Sequence, residues 1–171
     1  MSWSRRGLIG AALALGACGF EPLYGTGGAA SALRGRVRVG HIASREGYFL
    51  RQRLLQRFGS PEADAPFVLD VTLAVTREAL AITQNDTVTR FNLAGIAAVT
   101  LREIGTAEVL LREDFRAEAR FNAPASVPPA PPTASQIAAR AAEEDAGRRL
   151  GEYLAEQIAD RILIALEQPA R

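Results

Sequence analysis

The chain has 171 residues, 48% of them apolar, with 20 basic and 19 acidic side chains and a formal net charge of +1. This length suits one domain with a modest core, and the apolar content excludes wholesale disorder. The near-neutral balance excludes a bulk electrostatic nucleic-acid binder, while a single Cys and a single His exclude an internal disulfide, a multi-Cys zinc site and a His-pair metal centre.

Arg5 and Arg6 precede an apolar run from Gly7 to Leu15. A positive start followed by a short apolar stretch is a secretory leader, and the run is about half of the ~20 residues a spanning helix needs. It ends in Leu15-Gly16-Ala17-Cys18, which resembles a bacterial lipobox. That resemblance implies cleavage of residues 1–17 between Ala17 and Cys18, and lipidation of Cys18 with a diacylglyceryl group and an N-acyl chain. Two lipid attachments anchor a protein stably where one acyl chain does so only marginally. Gly19 stands where an Asp would resemble an inner-membrane retention signal, so the outer membrane is the expected destination. Ser4-Arg5-Arg6 also loosely resembles a twin-arginine signal. Loss of Arg5 and Arg6 with the leader leaves 18 basic against 19 acidic side chains. Every basic residue is Arg, which reads as genomic base bias.

Residues 18–33, rich in Gly and Ala, read as a lipidated start and flexible tether. Arg36 to Ile42 alternates as a first strand. Ser44 is an N-cap for a helix whose apolar residues Phe49, Leu50, Leu54, Leu55 and Phe58 recur at helical spacing, with Gly59 as C-cap. Three long alternating segments follow. Phe67 to about Ala81 carries Leu69, Val71, Leu73 and Val75 on one face. Val88 to about Ile104 carries Phe91, Leu93, Ala97, Val99 and Leu101. Val109 to Asn122 carries Leu111, Phe115, Ala117, Ala119 and Phe121. Gln84-Asn85-Asp86-Thr87 and Gly105-Thr106 mark the turns. The pattern predicts an antiparallel meander with one dry and one wet face. On the last strand the wet face reads Arg112, Asp114, Arg116, Glu118, Arg120, a ladder of alternating charge that simple solvation would explain.

Five of the nine prolines fall between Pro124 and Pro132, so residues 123–134 read as an extended surface loop. Ser135 then opens a helix to about Leu166, with Ala142, Ala146, Leu150, Leu154, Ile158, Ile162 and Leu166 in an i, i+4 row. That stripe needs an apolar partner, and the dry sheet face supplies it. The expected architecture is an α+β two-layer sandwich. Two helices pack on one face of a four-stranded, mainly antiparallel sheet, in the order β-α-β-β-β-α. It occupies residues 34–167, with 168–171 as a tail. If the first helix crosses between parallel strands, the connection is right-handed.

No catalytic motif accompanies this plan. His41 lacks a nucleophile and an orienting acid in any motif context, and reads as structural. Glu143-Glu144-Asp145 reads as a solvated helix face paired with Arg148 and Arg149 rather than a cation site. No phosphate loop, nucleophile elbow or zinc-binding helix motif occurs. Neither an enzyme nor a bound cofactor or metal is expected.

Three segments carry a family resemblance: Cys18-Gly19-Phe20-Glu21-Pro22-Leu23-Tyr24-Gly25, Ile82 to Leu93, and Asp145-Ala146-Gly147-Arg148-Arg149-Leu150 with Leu154 to Ile158. Together they resemble the lipopolysaccharide (LPS)-assembly lipoprotein family, LptE, in its alphaproteobacterial form. The resemblance implies an outer-membrane lipoprotein with an α/β sandwich fold. It would plug and help assemble the β-barrel of LptD and take part in LPS transport into the outer leaflet. It further implies LPS contacts near the tip of the hairpin between the second and third strands and near the last helix. Gln84 stands where the family has a basic residue, which leaves Arg77, Arg90 and Arg140 as the LPS-binding residues. Arg suits the phosphates and sugar acids of LPS through bidentate hydrogen bonds. The competing reading is a general periplasm-facing lipoprotein that serves as a binding module or accessory factor of envelope or peptidoglycan maintenance.

Overall fold

The computed structural model describes residues 31, 33–82, 88–123 and 132–167. Cys18, Ala17, the tether up to residue 30, the turn from Gln84 to Thr87, the Pro-rich segment 124–131 and the tail 168–171 lie outside them. The elements run β1 (Val37–Val39), α1 (Arg45–Phe58), β2 (Phe67–Ile82), β3 (Val88–Glu103), β4 (Val109–Asn122) and α2 (Pro132–Glu167). The sheet order is β1-β2-β3-β4. β1 is parallel to β2, which makes α1 a crossover, while β2, β3 and β4 are antiparallel in turn. The sheet is therefore mixed, and the β-α-β-β-β-α sandwich read from the sequence is the observed fold.

Boundaries shift at two elements. The first strand is three residues long and shorter than the alternation suggests. Gly40 still donates to the Leu69 carbonyl, but Ile42 then turns inward to fill the space under the first turn of α1. Gly47 leaves that space, since a Cβ there would stand 2.8 Å from Ile42 Cγ2. The last helix begins at Pro132, three residues before Ser135. Proline is tolerated in a first helical turn because its missing N–H has no intrahelical partner there, so the expected loop gives up its end to the helix.

The caps of α1 follow the sequence. Ser44 accepts a hydrogen bond from the Gly47 N–H at 3.1 Å. Gly59 has φ of 79° and donates to the Leu55 carbonyl at 2.8 Å.

The core lies between the inner sheet face and the two helices. Leu69, Leu93, Ala97, Val99 and Leu101 from the sheet meet Leu50, Leu54 and Phe58 of α1 and Leu150, Leu154, Ile158 and Ile162 of α2, all buried. A second row on α2, Gly147, Gly151, Ala155 and Ala159, is also buried. Its small side chains let α1 approach closely. A Cβ on Gly151 would fall 2.8 Å from both the Glu46 carbonyl oxygen and the Leu50 nitrogen. Ion pairs rim this contact: Arg45 with Glu144 at 3.6 Å, Arg53 with Glu156 at 2.5 Å and Arg57 with Asp160 at 2.7 Å. Their sequence order shows that the two helices run parallel.

Candidate functional site

The outer face of the sheet has no helix against it among the described residues. On β4 it presents Arg112, Asp114, Arg116, Glu118 and Arg120, all exposed, as the alternation predicts. On β2 and β3 the same face is mostly small and neutral: Thr72, Ala74 and Thr76 stand beside Ala94, Ile96 and Ala98. Arg102 and Asp70 close its lower part with an ion pair. One side of this face is thus smooth and the other strongly charged.

The three arginines named from the sequence lie toward the other end of the sheet and separate onto different surfaces. β2 pairs Arg77 with Leu93, on the helix-facing side, whereas Arg90 pairs with Ala81 and Asn122. Arg90 shares its parity with the outer set, so it projects from the opposite face and is exposed. Arg77 is held in place. Its guanidinium lies 4.0 Å from the Phe91 ring centroid and 5.6 Å from that of Phe121. Those two rings stack on each other at 5.3 Å, and Glu143 of α2 pairs with Arg77 at 3.5 Å. Arg140 is exposed one turn before Glu143. It borders an open groove of about 700 Å³ with Gln136, Ile137, Ala141 and Glu144. The structure therefore brings Arg77 and the Arg140 turn of α2 to one side, with Arg90 across the sheet.

Two residues of this region escape a pattern reading. Glu143 was assigned to a solvated helix face and instead anchors Arg77. Asn92 alternates with Phe91 and Leu93 and so belongs to the wet face, where the register does set it between Glu78 and Arg120. Yet it is only 4% exposed and its Oδ1 has no hydrogen-bond partner. The long charged neighbours on both flanking strands were the available signal, because such stems shelter a short side chain on a central strand.

Further along α2, Asp145 accepts from Arg148 and, at 3.0 Å, from Arg149. The Arg148 hydrogen bond, with Arg149 adding to it, holds the Asp145 carboxyl below its ordinary value, against the opposing pull of desolvation. Of the acidic cluster only Asp145 makes the expected pairing with Arg148 and Arg149; Glu143 meets Arg77 and Glu144 meets Arg45. His41 is exposed just after β1. No group of three or more metal-ligating side chains comes together among the described residues, and no described helix is long and apolar enough to cross a membrane.

Two helices on one side of a mixed four-stranded sheet are a fold shared with solved bacterial lipoproteins. A putative lipoprotein from Caulobacter crescentus superimposes with a TM-score of 0.59 at 22% identity, over 85% of this chain and 100% of that one. A minor lipoprotein from Acinetobacter baumannii gives 0.52 at 16% identity, over 80% and 99%. The rare lipoprotein B of Shewanella oneidensis gives 0.50 at 12% identity, over 77% and 98%. At these identities the likeness establishes the fold. Comparison with the curated proteins gives no match. The sequence model of the LptE family, described as lipopolysaccharide-assembly, matches residues 36–162. The chain belongs to that LPS-assembly family.

Proposed function

We propose that this protein is an outer-membrane lipoprotein, held through a diacylglyceryl group and an N-acyl chain on Cys18, that sits inside the LptD β-barrel. There it helps the barrel assemble and takes part in moving LPS into the outer leaflet. Its contribution is scaffolding and contact with LPS, without catalysis.

The observation that carries this reading is the uncovered outer sheet face with its exposed charge ladder on β4. The lumen of an outer-membrane barrel is polar, so a plug must present a hydrated surface to it while keeping its own core closed. The outer face does the first, and the helix-covered inner face does the second. Arg90 and Arg140 are exposed and have no ion-pair partner among the described residues, so their guanidinium groups are available to phosphates or sugar acids of LPS. Arg77 contributes to the same region with its charge already engaged by Glu143.

The test is purification from detergent-solubilised membranes through a C-terminal tag. A large barrel protein should co-elute, and depletion of the lipoprotein should lower the level of that barrel and of surface LPS. A chain that elutes alone, and whose depletion leaves both unchanged, would instead fit a general envelope-maintenance lipoprotein.

A further inference from the structure

β4 is an edge strand of 14 residues. An unpaired edge is a template for strand addition, and proteins that stay monomeric must close it in some way. Here the closure comes from α2. Arg149 Nη2 donates to the Arg120 carbonyl at 3.1 Å, and Gln157 Nε2 donates to the Arg116 carbonyl at 3.5 Å. Farther along the same edge, Arg161 pairs with Glu113 at 2.8 Å. Both capped carbonyls belong to even-numbered residues, so the even-numbered backbone groups of β4 point away from β3.

We propose that Arg149, Gln157 and Arg161 form a guard that keeps the β4 edge from pairing with β4 of a second copy of this chain. The charge ladder makes the second copy the fitting occupant. In an isologous antiparallel pair the position of the two-fold axis fixes which residues face each other. An axis at Ala117 sets Arg116 opposite Glu118 and Asp114 opposite Arg120, twice over by symmetry. It also sets Phe115 opposite Ala119 on the inner side, large against small. Moving the axis by one residue, to Arg116, would oppose Asp114 to Glu118 and Arg112 to Arg120, so the ladder selects its register. In the Ala117 register the Arg116 carbonyl must accept the Glu118 N–H, and the Arg120 carbonyl must accept the Asp114 N–H. Those are the two carbonyls that Gln157 and Arg149 occupy. The guard and the dimer therefore compete for the same acceptors, and the guarded chain stays single.

The test uses the full-length chain in detergent, with mass read by sedimentation or light scattering and folding by circular dichroism. The wild type should be monomeric. The triple variant Arg149→Ala, Gln157→Ala, Arg161→Ala should double in protein mass with its helix content retained. Adding Arg116→Glu, which faces Glu118 across the axis, should return it to monomer. Adding Glu118→Arg on top should restore the dimer. A triple variant that remains monomeric overturns the proposal, and so does association, whether dimer or aggregate, that Arg116→Glu does not dissolve.

Discussion

The guanidinium of Arg77 lies 4.0 Å from the centroid of Phe91 while its charge meets Glu143 of α2 at 3.5 Å. One side chain thus ties the far end of the sheet to the first half of the long helix. Arg77→Ala should lower unfolding stability by about 1 kcal/mol, the sum of a half-exposed cation–π contact and a weak ion pair. Arg77→Lys should recover part of that loss. Urea unfolding followed by circular dichroism measures both. Because this charge is already engaged, Arg77→Ala should change LPS binding less than Arg90→Ala does in the same assay.

Arg90 and Arg140 make the stronger prediction about ligand. They project from opposite sides of the sandwich, so their contributions to LPS affinity should add. A charge-assisted hydrogen bond of about 1.5 kcal/mol corresponds to roughly tenfold in affinity. Arg90→Ala and Arg140→Ala should therefore each weaken binding by about tenfold, and the double variant by about a hundredfold. A double variant with full affinity removes both residues from the LPS site.

The anchor has a separate test. Cys18→Ala should abolish lipidation and release the protein from the membrane fraction while leaving the fold of residues 34–167 intact. An unchanged membrane fraction would contradict the assignment of Cys18 as the attachment point.

The closeness of α1 and α2 is set by Gly151. A Cβ there meets backbone atoms at 2.8 Å on two sides, and backbone cannot swing aside as a flexible side chain does. Gly151→Val should cost about 3 kcal/mol or more through overpacking, despite a bulkier apolar side chain entering an apolar contact. Gly105, in the β3–β4 turn, has nothing within 4 Å of its added Cβ, so Gly105→Ala should be close to neutral. Thermal unfolding of the two variants side by side checks the contrast.

The architecture was legible because period-two and period-3.6 patterns are long here. The row Ala146, Leu150, Leu154, Ile158, Ile162 is fully buried, as its spacing requires. The second row, from Gly147 to Ala159, was not read, since Gly and Ala carry little hydrophobic signal and matter only once a partner helix presses on them. Arg77 and Arg90 were legible as basic residues near the hairpin. Their separation onto two faces follows from strand parity across the β2–β3 register, which has irregularities between Ala79 and Ile82. The burial of Asn92 becomes legible only once the register sets Glu78 and Arg120 beside it, because alternation within one strand says nothing about neighbours on two others.

Asp145 gives the chain a predictable response to acid. Its carboxyl is held below the ordinary value of 3.8, chiefly by the hydrogen bond from Arg148. The folded state therefore binds its proton less readily than the unfolded chain does. A depressed carboxyl contributes stability that is fully present above the unfolded value and is lost as pH falls through the lower folded one. Asp145→Asn should accordingly be less stable than the wild type at pH 7. The gap should narrow as pH falls below the ordinary value of 3.8 and close once the folded carboxyl is itself protonated, because both chains then carry a neutral side chain. The effect should be small, because the group is solvent-exposed and the pairs are screened. The same carboxylate also steadies the β4 edge. Arg149 gives its Nε to Asp145 at 3.0 Å and its Nη2 to the Arg120 carbonyl at 3.1 Å, so one guanidinium bridges helix and strand. Neutralising Asp145 removes the charge that orients it. Amide exchange of β4 residues facing the edge should rise in Asp145→Asn at pH 7, while exchange on the β2–β3 ladder stays as in the wild type.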